Sequence, residues 1–162
     1  MHFLFLSLLF LALSNTCSAG CASVQVKGQL MCNGQPFVKE HVQLWEPKLL
    51  GDELWDDMQT GQDGKFQIFS HGFDVTIVDI PFLGFGIHPY LWIPNYCGSE
   101  LIDGKRCTKN ILNIAIPEGY INPCQPDVYV YDIGRIDMES AESARFNWVL
   151  KLMGQHYQCR NY

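Results

Sequence analysis

The chain has 162 residues, a length that suits one domain able to bury an ordinary core. It carries 17 acidic and 11 basic side chains, which gives a formal net charge of −6 at pH 7. Because an acidic surface repels phosphate backbones, we expect no nucleic-acid partner.

The N-terminus has the features of a secretory signal peptide. Residues 2–13 form an apolar run, and Cys17, Ser18 and Ala19 supply small residues for signal peptidase. The run is shorter than the roughly 20 residues needed to cross a bilayer, which argues against a retained anchor. We therefore predict a signal peptide at residues 1–19, one mature domain at residues 20–162, and a secreted, extracellular protein without a transmembrane segment.

The cysteines fit the same compartment. Cleavage after Ala19 removes one of seven and leaves an even set, which predicts disulfides among Cys21, Cys32, Cys97, Cys107, Cys124 and Cys159. We expect Cys97 to pair with Cys107 across a polar loop that contains glycine, with Cys32 paired to Cys97 as the main alternative. Zinc is disfavoured because the chain has no Cys-x-x-Cys pair, and cleavage after Ala22 would leave an odd number of thiols.

Short runs of strand-like sequence alternate with turn residues along the chain. Apolar and polar residues alternate over residues 23–32 before the turn dipeptide Asn33-Gly34, and again over residues 41–46. Further strands are expected at residues 65–69, 76–78, 90–93, 110–116 and 128–136, the last with a bulge or close approach at Gly134. No helical crossover separates these runs, so the pattern predicts an all-β, antiparallel sandwich.

The C-terminal segment at residues 138–153 is ambiguous. It is rich in helix formers, yet residues 145–152 alternate at strand period in all but Val149. The strand interpretation is slightly favoured, and the helix stays open.

One ordered set of residues resembles the nematode transthyretin-like family. The set covers roughly residues 24–139 and is specific through its order and spacing. It consists of Val26-x-Gly28-x-Leu30-x-Cys32-x-Gly34-x-Pro36, Val42-x-Leu44-Trp45-Glu46, an acidic stretch, Thr60, Gly64-x-Phe66, Pro89-Tyr90-Leu91, Asn95-x-Cys97, Ile116-Pro117-x-x-Tyr120 and Tyr131-Asp132-Ile133-Gly134-x-Ile136-x-Met138-Glu139.

The resemblance implies a transthyretin-like or immunoglobulin-like β-sandwich in a secreted protein. Asn95 departs from the family pattern, which often has His at that position, so no function tied to that His is carried over. Transthyretin relatives include hydroxyisourate hydrolase, which relies on clustered His and Arg and on a C-terminal Tyr-Arg-Gly-Ser. The present chain ends Cys159-Arg160-Asn161-Tyr162, so that signature is absent.

The sequence contains no recognisable catalytic motif. His41, His71, His88 and His156 lie on separate segments without a motif around them, and each is best interpreted as a surface or strand-end residue. No Gly-x-Ser-x-Gly elbow, P-loop or His-Glu-x-x-His occurs. We therefore predict that the protein is not an enzyme and needs no cofactor.

Two segments are candidates for binding. Residues 52–57 hold four carboxylates, which suit Ca²⁺ chemically, but a solvated acidic loop is the favoured interpretation. Residues 80–87 are apolar and interrupted by Pro81, Gly84 and Gly86, so Phe82, Leu83 and Phe85 are candidate ligand contacts, with burial at the sandwich edge as the alternative.

Together these features predict an extracellular binding or signalling module. Its partner would be an extracellular protein, a lipid or a small apolar molecule, recognised through loops of a disulfide-braced sandwich. The alternatives are a structural secreted protein without a small ligand and, less favoured, a hydroxyisourate-hydrolase-like enzyme. The sequence defines neither the ligand nor the oligomeric state.

Overall fold

The computed structural model describes residues 19–48, 51–75, 87–123, 129–141 and 158–161. Within these ranges the chain is nearly all strand, with a single 3-10 turn at Glu118–Tyr120. The strands in chain order are β1 (Ala19–Cys32), β2 (Gln35–Pro36), β3 (His41–Glu46), β4 (Glu53–Gln59), β5 (Lys65–Val75), β6 (Tyr90–Asn95), β7 (Leu101–Ile102), β8 (Lys105–Cys107), β9 (Asn110–Ala115), β10 (Asn122–Pro123), β11 (Val130–Asp137) and β12 (Cys159–Asn161). The predicted all-β class is confirmed.

The first sheet is built around the long strand β1. β5 pairs antiparallel with it from Ala19 opposite Val75 to Gln29 opposite Lys65. On the other side of β1 lie the short strand β10 and then β11. β11 runs parallel to β1, so the expectation of a purely antiparallel sandwich is wrong at this pair. Parallel neighbours need a long connection, and β1 and β11 are separated by most of the chain.

The second sheet has the strand order β4-β3-β6-β9, and all of its pairings are antiparallel. A third, small sheet has the order β12-β8-β7. It is formed by a short hairpin and the last described strand of the chain. This small sheet is the part of the fold that carries the candidate site.

The core lies between the two larger sheets. β3 alternates in burial along its length, with Val42 and Leu44 fully buried and the intervening side chains half-buried. This alternation places every second side chain against the facing sheet, as expected for a sandwich. The buried core cluster includes Val24, Val26, Leu30, Phe66, Ile68, Val42, Leu44, Leu91, Ile93 and Leu112.

Most strands predicted from the alternation of residues are confirmed. β3 has the predicted bounds, and β1, β5 and β6 contain their predicted cores and extend beyond them. β9 ends one residue earlier than predicted, and β11 begins at Val130. The turn dipeptide Asn33-Gly34 has positive φ at both residues, 51° and 74°, as a tight hairpin turn requires.

The predicted bulge at Gly134 is confirmed. Lys27 pairs with Asp132 while Gln29 pairs with Arg135, so β11 has one more residue than β1 between these pairs. Gly134 has a φ of 71°, which favours glycine. On the facing strand, a Cβ at Gly28 would lie 2.5 Å from Cγ1 of Ile133, which explains why glycine is needed there too.

The interpretation of residues 52–57 as a loop is wrong. Most of them belong to β4, an edge strand that pairs with β3 from His41 opposite Gln59 to Glu46 opposite Glu53. The acidic side chains are tolerated because they decorate an edge, where charge prevents pairing with other chains. Trp55 anchors the strand by packing over Gly72 of β5, where a Cβ would meet the indole at 2.2 Å.

The expected pairing of Cys97 with Cys107 is also wrong. Cys97 is bonded to Cys32, the alternative considered above, and Cys107 is bonded to Cys159. Cys21 is disulfide-bonded as well. The local loop is not closed because β8 pairs with β12, which places Cys107 opposite Cys159. Both bonds join segments that are distant in sequence, which spacing alone does not indicate.

Several predictions fall outside the described residues. These are the signal peptide with its cleavage site, the strand at residues 76–78, Cys124, and the helix or strand at residues 142–153. The candidate contacts Phe82, Leu83 and Phe85 and the residue His156 are also outside them. All of these stay predictions.

Candidate functional site

The tip of the β7–β8 hairpin carries two exposed aliphatic side chains in succession. We call Leu101, Ile102, Asp103 and Gly104 the hairpin tip. Leu101 is 58% exposed and Ile102 is 61% exposed. They pair with Arg106 and Lys105 and, as successive strand residues, they point to opposite faces. Exposure on both faces means that the tip projects into solvent.

The sequence builds this hairpin with a two-residue turn. Asp103 and Gly104 have φ values of 51° and 75°, the backbone that an Asp-Gly dipeptide adopts readily in a tight hairpin. The strands on either side are only two and three residues long. Two strands this short are marginal by themselves, so the hairpin needs support from the rest of the fold.

That support comes from β12, which we call the brace. It pairs antiparallel with β8, and the Cys107–Cys159 disulfide lies between the two strands. Two further hydrogen bonds continue the pairing: the Thr108 amide donates to the Gln158 carbonyl at 2.9 Å, and the Gln158 amide donates to the Thr108 hydroxyl at 3.2 Å. The brace therefore makes β8 the central strand of a three-stranded unit.

A buried ion pair fixes the brace to the main sandwich. Arg160 Nη2 lies 2.6 Å from Oε1 of Glu40, whose side chain is fully buried just before β3. The Arg160 guanidinium also lies over the ring of Tyr96, 4.1 Å from its centroid, which adds a cation–π contact. The other carboxylate oxygen of Glu40 has no hydrogen-bond partner among the described residues.

Burial controls the protonation of this cluster. Loss of water around the carboxylate raises the pKa of Glu40, and the hydrogen bond and charge of Arg160 oppose that rise. Burial also raises the pKa of the Tyr96 hydroxyl, an effect that the Arg160 charge counteracts. Carboxyl groups with perturbed pKa values occur at functional sites and in structural ion pairs alike. Because Glu40 has no exposed surface, its role here is structural.

Asn95 holds the other side of the base of the hairpin. Its side-chain amide donates to Oδ1 of Asn110 and to the carbonyl of Met138, both at 2.7 Å. Its side-chain oxygen accepts the amide of Cys97 at 2.9 Å. The residue that departs from the family pattern is therefore a buried connector between β6, β9 and the end of β11.

A His–Asp pair lies on the outer side of β3 and β4. Nδ1 of His41 is 2.8 Å from Oδ1 of Asp57, and Nε2 of the same ring is 3.1 Å from the side-chain nitrogen of Gln59. The second Asp57 oxygen accepts a hydrogen bond from Gln43 at 2.9 Å. Both imidazole nitrogens are therefore engaged by neighbouring side chains, which leaves neither available as a general base in this conformation.

Within the described ranges, no three His, Cys, Asp or Glu side chains are grouped so as to hold a metal ion. In the same ranges, no helix is long and apolar enough to span a bilayer. The acidic side chains in and just before β4 are spread along the chain: Asp52 accepts a hydrogen bond from the hydroxyl of Tyr90, and Asp57 is engaged with His41.

Sequence reasoning found the cysteines of this site but missed its other parts. The Asp103-Gly104 dipeptide is a hairpin signal that was available in the sequence. Nothing local marks Glu40 as buried, because its partner Arg160 is 120 residues further along the chain. The support of the tip and the buried ion pair therefore depend on contacts between segments that are distant in sequence.

Comparison with known proteins identifies the family. The sequence model of the Transthyretin-like family matches residues 27–117, which is more than half of the chain. The chain belongs to the transthyretin-like family.

Curated relatives of this transthyretin-like protein are found in Caenorhabditis elegans. Transthyretin-like protein 5 is 32% identical over 128 residues, covering 78% of this chain and 79% of the relative. Transthyretin-like protein 46 is 29% identical over 82% of this chain and 69% of the relative. Transthyretin-like protein 16 is 31% identical over 80% of this chain and 89% of the relative. The expected nematode transthyretin-like family is thus confirmed.

Among solved structures, the transthyretin-like protein has a weak similarity to a 9R-lipoxygenase from Cyanothece PCC8801. The TM-score is 0.33 at 16% sequence identity, over 71% of this chain. The match spans only 16% of the lipoxygenase. A similarity this low carries no argument about fold or activity.

Proposed function

We propose that this transthyretin-like protein is a secreted extracellular binding module that presents the hairpin tip to a partner. The observation that supports the proposal is the exposure of Leu101 and Ile102, 58% and 61%, on a hairpin held by a disulfide and a buried ion pair. Leu101 and Ile102 expose apolar side chains on both faces of the hairpin, and a partner that closes over the tip would cover both. A rigid support lowers the entropy lost when a loop binds.

The partner class in this proposal is an extracellular protein or a lipid surface. Leu101 and Ile102 project from the hairpin, and proteins and bilayers accept a projecting apolar residue. Basic side chains flank the tip at Lys105, Arg106 and Lys109. A partner with an apolar recess and acidic groups would complement this arrangement.

A binding role also agrees better with the polar groups than an enzymatic one. Glu40, whose pKa is raised by burial, is inaccessible, and the His41 ring has both nitrogens engaged. The names of the relatives given above state no substrate. The proposal predicts no hydrolase activity. The structural-protein alternative differs from it by predicting no saturable partner.

The test compares the double variant L101S/I102S with wild type in two assays. We expect wild-type protein, immobilised and exposed to medium conditioned by the source organism, to retain a saturable partner that the variant loses by at least about tenfold. In parallel, sedimentation with vesicles of phosphatidylcholine, alone or mixed with phosphatidylglycerol, distinguishes a lipid surface from a protein.

Leu54→Ser is the matched control, because Leu54 is 44% exposed but lies on β4, in a different sheet from the hairpin. The control should bind as wild type does, and both variants should unfold at the wild-type temperature. Equal binding by wild type and L101S/I102S in both assays would overturn the role of the tip. Turnover of a substrate by the wild-type protein would contradict the proposal as a whole.

A further inference from the structure

The two disulfides whose cysteines both lie within the described residues differ in exposure. Cys97 is fully buried, and its partner Cys32 is half-buried. Cys159 is exposed, and its partner Cys107 is half-buried. Thiol–disulfide exchange begins when an outside thiolate reaches one of the two sulfurs, so access helps to set the rate at which the folded protein is attacked. The Cys107–Cys159 bond is therefore the more accessible of the two.

Loop length does not distinguish these bonds. Their cysteines are 52 and 65 residues apart, and stabilisation by cross-linking varies only with the logarithm of that length. Their surroundings differ more. Cys97 belongs to the buried core cluster, with Cys32 packed against it, whereas Cys107 and Cys159 join two strands of three residues in the small third sheet. Local opening therefore exposes the second bond at a lower cost in buried contacts.

The charge around the exposed bond favours thiolates. Cys107 and Cys159 lie directly opposite each other in the β8–β12 register. Lys105 is two residues before Cys107 on the same strand, so its side chain is on the same face, about 6.8 Å further along. Lys105 is exposed, and Asn161 opposite it is uncharged. A neighbouring ammonium attracts an incoming thiolate and stabilises the thiolate that leaves.

Opening this bond would remove the covalent hold on the brace. The remaining anchors are the β8–β12 pairing, the hydrogen bonds between Thr108 and Gln158, and the Arg160–Glu40 ion pair. A three-residue strand gains little from pairing alone, and the dehydration of both charges offsets part of the attraction in a buried ion pair. Without the bond, β12 should separate from β8 more often, and the hairpin would then lose the strand that supports it.

We propose that the Cys107–Cys159 disulfide is a redox switch that controls how firmly the hairpin tip is held. The reductant is a dithiol protein of the Cys-x-x-Cys oxidoreductase class. One of its thiolates attacks Sγ of Cys159, which forms a mixed disulfide, breaks the bond to Cys107 and releases Cys107 as a thiolate. Its second thiolate then attacks its own sulfur in the mixed disulfide and displaces Cys159. Two electrons pass to this protein, the two protons from the reductant's thiols end on Cys107 and Cys159, and the reductant becomes a disulfide.

Stepwise reduction of the full secreted protein by dithiothreitol tests the switch under native conditions. Samples are quenched in acid, alkylated and mapped as peptides. We expect Cys107 and Cys159 to be labelled at least about tenfold faster than Cys32 and Cys97. In protein reduced at Cys107–Cys159 alone, amide exchange should rise by at least about tenfold in β8 and β12 and stay unchanged in β3. Oxidised glutathione should restore both the bond and the protection.

Three variants separate local access from general destabilisation. In Cys32→Ser/Cys97→Ser, the Cys107–Cys159 bond should be reduced at the wild-type rate. Lys105→Gln should slow reduction by about twofold at low salt, because it removes the charge that attracts the thiolate. Lys27→Gln is its control, since Lys27 is an exposed lysine of the first sheet, and it should react as wild type does.

The switch is overturned if Cys32 and Cys97 are labelled as fast as Cys107 and Cys159. It is also overturned if the β12 amides keep their oxidised-state exchange rates once the bond is open. Neither measurement needs a partner, so both decide the switch even if the binding function proposed above fails.

Control of the tip rests on that binding function. Protein reduced at Cys107–Cys159 alone should bind the partner or vesicles retained by the tip at least about threefold more weakly than oxidised protein, because a loosened hairpin loses more entropy on binding. Equal binding by the two forms would overturn control of the tip. Absence of any binding by oxidised wild type would instead contradict the proposed function, while the labelling and exchange results would stand.

Discussion

At the scale of single residues, the buried Glu40 shows how a local sequence acquires its chemistry from distant neighbours. The residue lies between Lys39 and His41 in a sequence that resembles an exposed strand end. The fold removes all of its exposed surface and places Arg160 against it. No pattern within a short window predicts this pairing, because both partners depend on where β12 packs.

The pKa of Glu40 leads to a prediction about pH. Its folded-state pKa is raised above 4.5, chiefly by burial, so the folded protein holds this proton more tightly than the unfolded chain. The contribution to stability is present below the unfolded pKa and is lost as pH rises through the folded one. Arg160, His41, Arg106 and Tyr96 face the carboxylate and modulate the effect.

Glu40→Gln removes this titration. The difference in free energy of unfolding, wild type minus variant, should therefore fall as pH rises from about 4.5 towards neutrality. Urea unfolding at a series of pH values measures it. Glu118→Gln, at an exposed position in the 3-10 turn, is the control. Its free energy of unfolding should change with pH in parallel with that of wild type. A parallel curve for Glu40→Gln would show that Glu40 does not titrate differently on folding.

Gly28 supports a second prediction at this scale. A Cβ there would lie 2.5 Å from Cγ1 of Ile133 and 3.0 Å from Cε1 of Phe66, so Gly28→Ala should destabilise the protein by about 1–3 kcal/mol. Gly119→Ala is the control, because a Cβ at that position meets nothing within 4 Å. The control should be neutral or stabilising by up to about 1 kcal/mol. Equal melting temperatures for the two variants would contradict the close packing of β1 on β11.

At the scale of elements, the accuracy of the sequence-based prediction depended on how each strand is buried. β1, β3 and β5 have one face in the core, so their apolar residues alternate and the strands are visible in the sequence. β4 is an edge strand whose carboxylates face solvent, and its anchor Trp55 gives no periodic signal. β12 has three residues, too few for any pattern, and exists because it pairs with β8. The braced hairpin could therefore not be assembled from sequence alone.

The Cys107–Cys159 disulfide provides the prediction for this scale. The bond spans 52 residues of sequence, for which the chain-entropy relation gives a stabilisation of about 4 kcal/mol. Replacing both cysteines by serine should lower the free energy of unfolding by roughly that amount and speed amide exchange first in β8 and β12. The Cys32→Ser/Cys97→Ser variant removes the disulfide whose cysteines are 65 residues apart in sequence. It should instead speed amide exchange first in β1 and β6. Exchange that rises uniformly in both variants would show that the brace is not a separate unit.

At the scale of the whole molecule, charge and shape are distributed unevenly. Four of the 17 acidic residues lie in or just before β4, at one edge of the second sheet, and basic residues flank Leu101 and Ile102 at the hairpin tip. Composition and cysteine number were enough to predict a disulfide-bonded domain, because both are sums over the chain and do not depend on how the strands are ordered. They did not predict where the surfaces lie, since that depends on the order of strands in each sheet.

The last prediction concerns the processed molecule. Cys21 is disulfide-bonded, and β1 pairs with β5 back to Ala19. Cleavage after Ala22 would remove a bonded cysteine and several of these pairs, so we expect signal peptidase to cut after Ala19 and the secreted protein to begin at Gly20. N-terminal sequencing and intact mass of protein from the medium measure the cut. Alkylation under denaturing, non-reducing conditions should label no cysteine, because six remain and all are expected to be paired. A start at Ser23 together with one labelled thiol would contradict both the cleavage site and the complete pairing.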